Sequence, residues 1–262
     1  MRIARFTTGD GASFGVVEGE DEADLTIRRV EGHPFAPFQL TDDVVPLVDA
    51  RLLAPVLPSK VVAVGRNYAE HAKEMGGNTD PTTEPPIVFI KPSTSVVGPG
   101  DAVQYPVGIS KEVSYEGELA VVIVRLCREV PPSRVRDVVL GFTCANDVTA
   151  RDLQRSESQW GRAKGFDTFC PLGPWVSTDV DPADLAITTT VNGDLKQAGR
   201  TSQMVRSVDE LVSHISMAMT LLPGDVILTG TPAGVGPLAV GDQVSVTIEQ
   251  VGTLTNRVVA RG

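Results

Sequence analysis

The chain has few cysteines and aromatic residues, and it lacks a long apolar run. Its three cysteines, Cys127, Cys144 and Cys170, are an odd number without C-x-x-C spacing, which argues against a disulfide framework or a zinc site. No stretch approaches the ~18 consecutive apolar residues of a membrane helix. The first ten residues, MRIARFTTGD, contain no apolar core of the kind found in signal peptides. We therefore expect a cytoplasmic protein with reduced, buried thiols.

Positive charge is also scarce. Lysine and arginine number 23 against 33 acidic residues, which gives a formal net charge of −10. A chain this acidic is a poor candidate for binding a phosphate backbone. The Gly-rich stretch TGTPAGVG, residues 229–236, lacks the Gly-Lys-Ser/Thr ending of a phosphate-binding loop. We therefore expect neither nucleic acid nor nucleotide nor membrane as a partner.

The change in composition near residue 57 predicts a small N-terminal domain, residues 1–57, followed by a larger domain, residues 58–262. In the first part, RIARF and SFGVVEG predict a strand pair around a Gly-Asp-Gly turn, and EGEDEAD predicts an acidic, solvated turn. RLLAPVLPSK contains two prolines and predicts a linker.

After residue 60, strands dominate and helices are few. The predicted helices lie in RNYAEHAKEMGG, in TARDLQRSESQW and over residues 207–221, and an Asn-Gly pair at 192–193 predicts a hairpin. Helices do not alternate regularly with strands, so a doubly wound sheet is not expected. The pattern predicts an α+β fold, β-rich with mixed sheets.

One strand carries two carboxylates into an apolar run. In VSYEGELAVVIV, residues 113–124, Glu116 and Glu118 are two apart, so they point to one face of a strand, roughly 6.5–7 Å apart. Such a pair could lie on a solvated face. Ala120 and Val122 continue the same face as apolar residues, which favours burial and a divalent cation that removes the repulsion. Asp147, where an apolar strand gives way to a polar helix start, is the candidate third ligand.

A second pair lies in YAEHAKEMG. His71 and Glu74 are three residues apart on a predicted helix, so they share a face and can touch. A carboxylate beside a histidine orients the ring and raises its basicity, as a general base that activates water requires. The alternative is an ordinary exposed helix face. Lys164 lies in a weakly polar segment and could face an anionic substrate, and Thr231 could help to hold a carboxylate.

Taken together, these segments resemble the fumarylacetoacetate hydrolase superfamily. The resemblance extends from about residue 60 to residue 262, and residues 1–57 resemble the small extra domain of some prokaryotic members. It depends on six segments in the family's order: VGRNYAEHAKEM, IVFIKP, SYEGELAVVI, GFTCANDVTARDLQ, AKGFDTFCPLGPW and LTGTPAGVG.

The resemblance implies a β-rich α+β roll, a homodimer and a divalent cation, usually magnesium or manganese, with calcium also compatible with oxygen ligands. It also implies that the His–Glu dyad lies on a lid segment that orders when substrate binds. The implied roles are metal ligation by Glu116, Glu118 and Asp147, water activation by His71 and Glu74, charge stabilisation by Lys164, and substrate contact by Arg151, Gln154 and Thr231.

The function implied is that of a metal-dependent enzyme acting on small anionic 2-oxo or 2-hydroxy-dienoic dicarboxylic acids, or on acylpyruvate-type acids, through an enolate that the cation stabilises. Carbon–carbon bond hydrolysis of an acylpyruvate or decarboxylation of oxaloacetate is the first expectation. An isomerase or decarboxylase of aromatic catabolism, acting on a 2-hydroxyhepta-2,4-diene-1,7-dioate or a 5-carboxymethyl-2-hydroxymuconate-like compound, is the alternative. A non-catalytic protein with a structural cation is a third hypothesis from a different class.

Overall fold

A computed structural model describes residues 1–20, 24–76 and 84–262, and these are mostly β-structure. The strands are β1 (Arg2–Thr7), β2 (Ser13–Glu18), β3 (Thr26–Glu31), β4 (Gln39–Pro46), β5 (Arg51–Leu53), β6 (Val61–Gly65), β7 (Ile87–Lys91), β8 (Val96–Val97), β9 (Ala102–Tyr105), β10 (Val113–Tyr115), β11 (Gly117–Ile123), β12 (Val139–Asn146), β13 (Thr149–Ala150), β14 (Cys170–Ser177), β15 (Ala186–Val191), β16 (Asp194–Arg200), β17 (Val226–Leu228), β18 (Gly236–Pro237), β19 (Gln243–Ile248) and β20 (Gly252–Ala260). The α-helices are short, as expected for a β-rich fold: α1 (Ala69–Glu74), α2 (Arg151–Ser156), α3 (Gly161–Lys164) and α4 (Val208–Ala218).

Within residues 1–20, 24–76 and 84–262, the largest sheet is mixed and contains twelve strands. Its order is β4-β3-β2-β1-β14-β12-β11-β17-β6-β7, with β5 paired to β1 and β8 paired to β14. β11 pairs antiparallel with both β12 and β17, whereas β17 and β6 run parallel. A five-stranded sheet, β16-β15-β19-β20-β9, and a three-stranded sheet, β13-β10-β18, complete the architecture.

The central strand β11 is buried on both faces. Leu119, Val121 and Ile123 belong to the apolar cluster that includes α4 and the five-stranded sheet, while Ala120 and Val122 pack on the other side with residues of β6 and β17. All seven residues of β11 are buried. A one-residue slip would exchange its two faces, so double-sided packing fixes the register and with it the position of the residues at its start.

The N-terminal strands continue the main sheet. Ile3 in β1 pairs with Val176 in β14, so residues 1–57 are hydrogen-bonded to the rest of the chain. The predicted linker is partly wrong, because Arg51–Leu53 forms β5 and pairs with β1. The predicted strand pair is present as β1 and β2, whereas the centre of the predicted acidic turn, residues 21–23, lies outside the described part. The domain boundary at 57 stays a prediction.

Helix lengths differ from the sequence-based predictions. α4 begins after Ser207, whose hydroxyl accepts a hydrogen bond from the Glu210 N–H, as the capping-box pattern predicts. It ends at Ala218 rather than at 221, because Cys127 pairs with Leu221 in an extended bridge. TARDLQRSESQW gives only the six residues of α2, and α3 follows separately. The predicted Gly-Gly stop after α1 includes Gly77, which lies outside the described residues.

The predicted Asn-Gly hairpin is present. Asn192 and Gly193 both have positive φ, 53° and 87°, and Val191 pairs with Asp194 across the turn. These angles fit the type I′ turn that matches the twist of antiparallel strands. All three cysteines are buried and free, and burial raises the pKa of Cys170 to about 12, so this thiol is not an activated nucleophile. In the described part of the chain, no helix combines the length and apolarity needed to cross a membrane.

The start of β17 is held by a buried carboxylate. Asp225 is fully buried, and its side chain accepts hydrogen bonds from the N–H groups of Ser59, Lys60 and Leu222, the Ser59 hydroxyl and the Lys60 ammonium. Burial opposes its ionisation, but the hydrogen bonds from Lys60, Ser59 and Leu222 together lower its pKa.

We therefore predict that Asp225→Asn lowers the free energy of unfolding by about 2–4 kcal/mol at neutral pH, since a charged acceptor is lost among buried donors. Because the pKa is lowered in the folded state, the contribution is complete above the unfolded pKa of about 3.9 and is lost as pH falls through the folded value. Denaturant unfolding of both proteins at pH 7 and pH 3 measures this. Asp184→Asn, which changes an exposed pair with Arg200, is the control and should have a much smaller effect. An equal loss for Asp225→Asn at both pH values would contradict the assignment.

Candidate active site

Three carboxylates meet where β11 begins and β12 ends. In the register of β11 and β12, Gly117 pairs with Asn146, so Glu116 and Asp147 are the next residues beyond this pair. The Asp147 N–H donates a hydrogen bond of 2.8 Å to the Glu116 carbonyl oxygen. Glu118, two residues on, points to the same side. One ligand atom from each of Glu116, Glu118 and Asp147 lies within 4.8 Å of the others, and all three residues are buried.

Cationic groups surround this cluster. The Lys164 ammonium lies 2.6 Å from both a Glu116 and an Asp147 carboxylate oxygen. The Arg151 guanidinium lies 2.5 Å from the other oxygen of Glu116. Burial is the largest single influence on Glu116 and opposes its ionisation, but Arg151, then Lys164 and His71 hold its pKa well below the usual range. Glu116 is therefore a carboxylate at neutral pH.

Glu118 is in the opposite situation. Burial, followed by the neighbouring charges of Asp147 and Glu116, raises its pKa well above the usual value, against Lys164 and a hydrogen bond of 2.7 Å from the Gly230 N–H. A divalent cation among the three carboxylates would offset this repulsion, because hard cations prefer oxygen ligands. The donor set therefore fits magnesium, manganese or calcium.

Lys91 is a participant that sequence reasoning missed. Its side chain is fully buried at the end of β7, and its ammonium lies 2.5 Å from Asp147 Oδ1 and 3.2 Å from the Val148 carbonyl oxygen. The sequence contained one signal for it, since Lys91 directly follows the apolar run IVFI and a lysine at the end of such a strand can be buried. A buried lysine requires a partner of opposite charge. With Arg151 and Lys164, it supplies three positive charges to three carboxylates.

The predicted dyad is assembled beside the cluster. His71 Nδ1 lies 3.2 Å from a Glu74 carboxylate oxygen, and His71 Nε2 lies 3.9 Å from Glu116 Oε1. The Glu74 carboxylate also accepts a hydrogen bond of 3.2 Å from the Gly234 N–H. With its proton on Nδ1, facing Glu74, the ring presents the Nε2 lone pair on the side of the carboxylate cluster. The geometry suits a general base.

A cavity of about 230 Å³ adjoins the dyad and the cluster. This volume is below the range of about 300–1,000 Å³ usual for drug-sized ligands, so it suits a small acid. The cavity is lined by Val64, Gly65, Arg66, His71, Met75, Glu116, Glu118, Arg151, Gln154, Arg155, Trp160, Lys164 and Thr231. Arg66, Arg155 and Trp160 are further residues that sequence reasoning did not assign, because nothing in the local pattern tells which way their side chains point.

The three predicted substrate-contact residues all reach this cavity, but they differ in their hydrogen bonds. The Arg151 guanidinium donates to Gln154 Oε1 at 2.9 Å, so these two form a unit. The Thr231 hydroxyl donates to the Gly117 carbonyl oxygen at 2.8 Å and accepts from the Gln197 side chain at 2.7 Å. Its hydroxyl is thus engaged within the protein, and its predicted contact with a substrate carboxylate stays a prediction.

Comparison with known proteins identifies the family. The fumarylacetoacetate (FAA) hydrolase C-terminal model matches residues 60–259, and an Rv2993c-like N-terminal model matches residues 1–55. The chain therefore belongs to the fumarylacetoacetate hydrolase family, as the sequence motifs predicted, and it has that family's fold with a small N-terminal domain. Protein Rv2993c of Mycobacterium tuberculosis is 52% identical, with 100% of this chain and 99% of that protein covered.

Relatives with named activities differ in reaction. The human mitochondrial oxaloacetate tautomerase FAHD2A is 45% identical, with 82% of this chain and 71% of that protein covered. The crystal structure of a 5-carboxymethyl-2-hydroxymuconate delta-isomerase from Mycobacterium smegmatis matches all of both chains with TM-score 0.92 and 49% identity. The maleylpyruvate hydrolase of a Sphingobium species, in complex with manganese(II) and pyruvate, matches all of both chains with TM-score 0.80 and 32% identity.

We predict that Glu118→Gln and Asp147→Asn each weaken binding of magnesium and manganese at least tenfold, because each removes one anionic ligand while keeping the side-chain shape. Titration calorimetry on the purified variants measures the affinity. Glu70→Gln, a change on the exposed face of α1, should bind metal like the unchanged protein. Normal binding by both site variants would show that the three carboxylates are not the ligands.

Proposed function

We propose that this protein is a divalent-metal-dependent enzyme that acts on a small 2-oxo acid through its enolate, and that its leading reaction is carbon–carbon bond hydrolysis of an acylpyruvate. The observation that carries the proposal is the His71–Glu74 pair beside three buried carboxylates. A purely structural cation would need neither a histidine oriented by a carboxylate nor an adjoining cavity. The manganese and pyruvate of the Sphingobium hydrolase, a relative of the same fold, support it.

Glu116, Glu118 and Asp147 would hold the cation. When bound, a divalent cation supplies Lewis acidity that stabilises negative charge on the oxygens of a 2-oxo acid. The Lys164 ammonium lies next to two of these ligands and adds positive charge where the enolate oxygen develops. Arg151, oriented through Gln154, is positioned to hold the carboxylate of the substrate.

His71 supplies the proton transfers. In hydrolysis, Nε2 removes a proton from water as the water oxygen attacks the distal carbonyl carbon, and Glu74 stabilises the resulting imidazolium. The carbon–carbon bond then breaks, its electron pair forms the enolate, and the imidazolium returns the proton to the enolate carbon. Decarboxylation of oxaloacetate would use the same enolate without an attacking water.

Keto–enol tautomerisation of oxaloacetate is a second candidate. It is favoured by the 45% identity to the human oxaloacetate tautomerase and by a cavity sized for a small acid. The similar structure from Mycobacterium smegmatis is also named as an isomerase, and a tautomerisation is one kind of isomerisation. Here His71 would move a proton between carbon and solvent, and no nucleophilic water is required.

The decisive assay compares three substrates with magnesium and with chelator: an acylpyruvate, oxaloacetate and a hydroxymuconate-type diene. We expect metal-dependent turnover of at least one of these substrates. Absorbance measures turnover of the acylpyruvate and of the diene, and enol absorbance together with pyruvate release measures turnover of oxaloacetate. Hydrolysis identifies the leading proposal, and tautomerisation without pyruvate release identifies the second. If chelator changes none of the rates, or no substrate turns over, the metal-enzyme proposal is wrong.

We predict that His71→Gln lowers acylpyruvate hydrolysis about 10²–10⁴-fold, the usual contribution of a general base. Oxaloacetate tautomerisation should fall less, because its proton exchanges readily with solvent. Steady-state kcat for both reactions measures the difference between the two losses. Metal affinity should stay normal, because His71 is not one of the proposed ligands. Equal losses in both reactions would refute this division of roles. His214→Gln, on α4, provides a histidine control.

A further inference from the structure

Arg66 combines an unusual backbone conformation with a place in the cavity wall. It follows β6 directly, lines the cavity and has φ 60°, in the left-handed region. That region is uncommon for residues other than glycine, asparagine and aspartate, and a long side chain held there costs backbone energy. Such strain persists only where surrounding contacts fix the backbone.

Asn67 supplies those contacts. Its side-chain amide donates to the carbonyl oxygens of Thr229, at 2.8 Å, and Arg206, at 3.0 Å, and its side-chain oxygen accepts from the Arg206 N–H at 2.9 Å. The Asn67 carbonyl oxygen also accepts from the Val205 N–H at 2.8 Å. Asn67 is buried. The turn that sets the direction of Arg66 is therefore anchored to two other segments.

The cavity's other cations already have anionic partners. Lys164 and Arg151 contact the carboxylate cluster, and Arg155 pairs with Glu112. No carboxylate of the described residues lies within ion-pair distance of Arg66. Among the described residues that line the cavity, Arg66 is thus the lysine or arginine without a carboxylate partner, whereas Arg151 already contacts Glu116.

The charge balance of the site also indicates that Arg66 can bind an anionic group of a ligand. Lys91, Arg151 and Lys164 together balance the three carboxylates. A bound divalent cation and Arg66 add three positive charges and Glu74 beside His71 adds one negative charge, so the site has an excess of two positive charges in a chain whose net charge is −10. A monocarboxylic 2-oxo acid offers one negative charge, whereas a dicarboxylic one offers two and its enolate three. The excess favours the dianion.

We propose that Arg66 is the residue of the cavity that binds the distal carboxylate of a dicarboxylic 2-oxo acid, the substrate class that the family resemblance implies, and that it thereby selects such an acid over a monocarboxylic one. The inference rests on the proposed function for the position of the first carboxylate, which Arg151 would hold beside the cation site. Arg66 would act by binding the end of the substrate remote from the reacting bond, as a specificity residue. A guanidinium suits this task because it presents two parallel donors to a carboxylate.

The test uses a matched pair of ligands, 2-oxoglutarate and 2-oxopentanoate, which differ only in the distal carboxylate. Calorimetry with magnesium present should show that the unchanged protein binds 2-oxoglutarate at least tenfold more tightly. Arg66→Gln should remove about 10- to 100-fold of that affinity, as expected for a lost hydrogen bond to a charged group, and leave 2-oxopentanoate binding unchanged. Arg66→Lys keeps the positive charge, so it should retain part of the preference for 2-oxoglutarate over 2-oxopentanoate.

Further variants keep the test independent of folding. Arg66→Gly relieves the left-handed strain, so it should keep the melting temperature while losing the preference. Arg134→Gln, an exposed arginine paired with Asp137, should bind both ligands normally. No preference in the unchanged protein, or loss of the preference in Arg155→Gln instead of Arg66→Gln, would overturn the inference. Because the readout is binding, an intact preference without turnover would instead count against the proposed function.

Discussion

The structure depends on the neutralisation of three carboxylates that lie buried within 4.8 Å of one another. Their mutual repulsion and desolvation would exclude them from a protein interior without compensation. Lys91 from β7, Arg151 from α2 and Lys164 from α3 provide it, each within 2.6 Å of a carboxylate oxygen. β7, α2 and α3, which are distant in sequence, therefore each bring a cation to the same three buried carboxylates. The balance is incomplete at Glu118, whose pKa is raised first by burial and then by the repulsion from Asp147 and Glu116 that a divalent cation would relieve.

The sheet brings these groups to one edge. β6 and β17 run parallel and end together, at Gly65 and Leu228, and β11, which runs antiparallel to β17, begins at the same edge. The loops after the two parallel strands supply the His71 helix and the Gly230–Thr231 segment. In sheets with parallel strands, the carboxyl ends of the strands are the usual place for ligands. The position of the cavity thus follows from topology, while its chemistry follows from the loops.

Local patterns in the sequence were enough to predict part of this site. Glu116 and Glu118 share a face because strand side chains alternate, and His71 reaches Glu74 because residues three apart on a helix are neighbours. The role of Lys91 was not predictable in this way, since its partner Asp147 is 56 residues away in sequence and only the fold brings them together. The same reason explains the errors in secondary structure. β5 forms where prolines indicated a linker, and α4 ends early, because pairing with β1 and with Cys127 overrides local propensity.

The two loops that carry the dyad and Arg66 are also tied to each other. Glu74 accepts a hydrogen bond from Gly234, and Asn67 donates to the carbonyl oxygen of Thr229, so the segment after β6 is fastened at both ends to the segment after β17. The three carboxylates that would hold a cation lie at strand ends whose register is fixed by packing on both faces. The groups that would move protons and select the substrate come from loops joined by a few hydrogen bonds. A change in those loops could therefore alter the reaction or the acid accepted without disturbing the carboxylate cluster, which gives a physical reason why relatives with this fold carry names of hydrolases, isomerases and tautomerases.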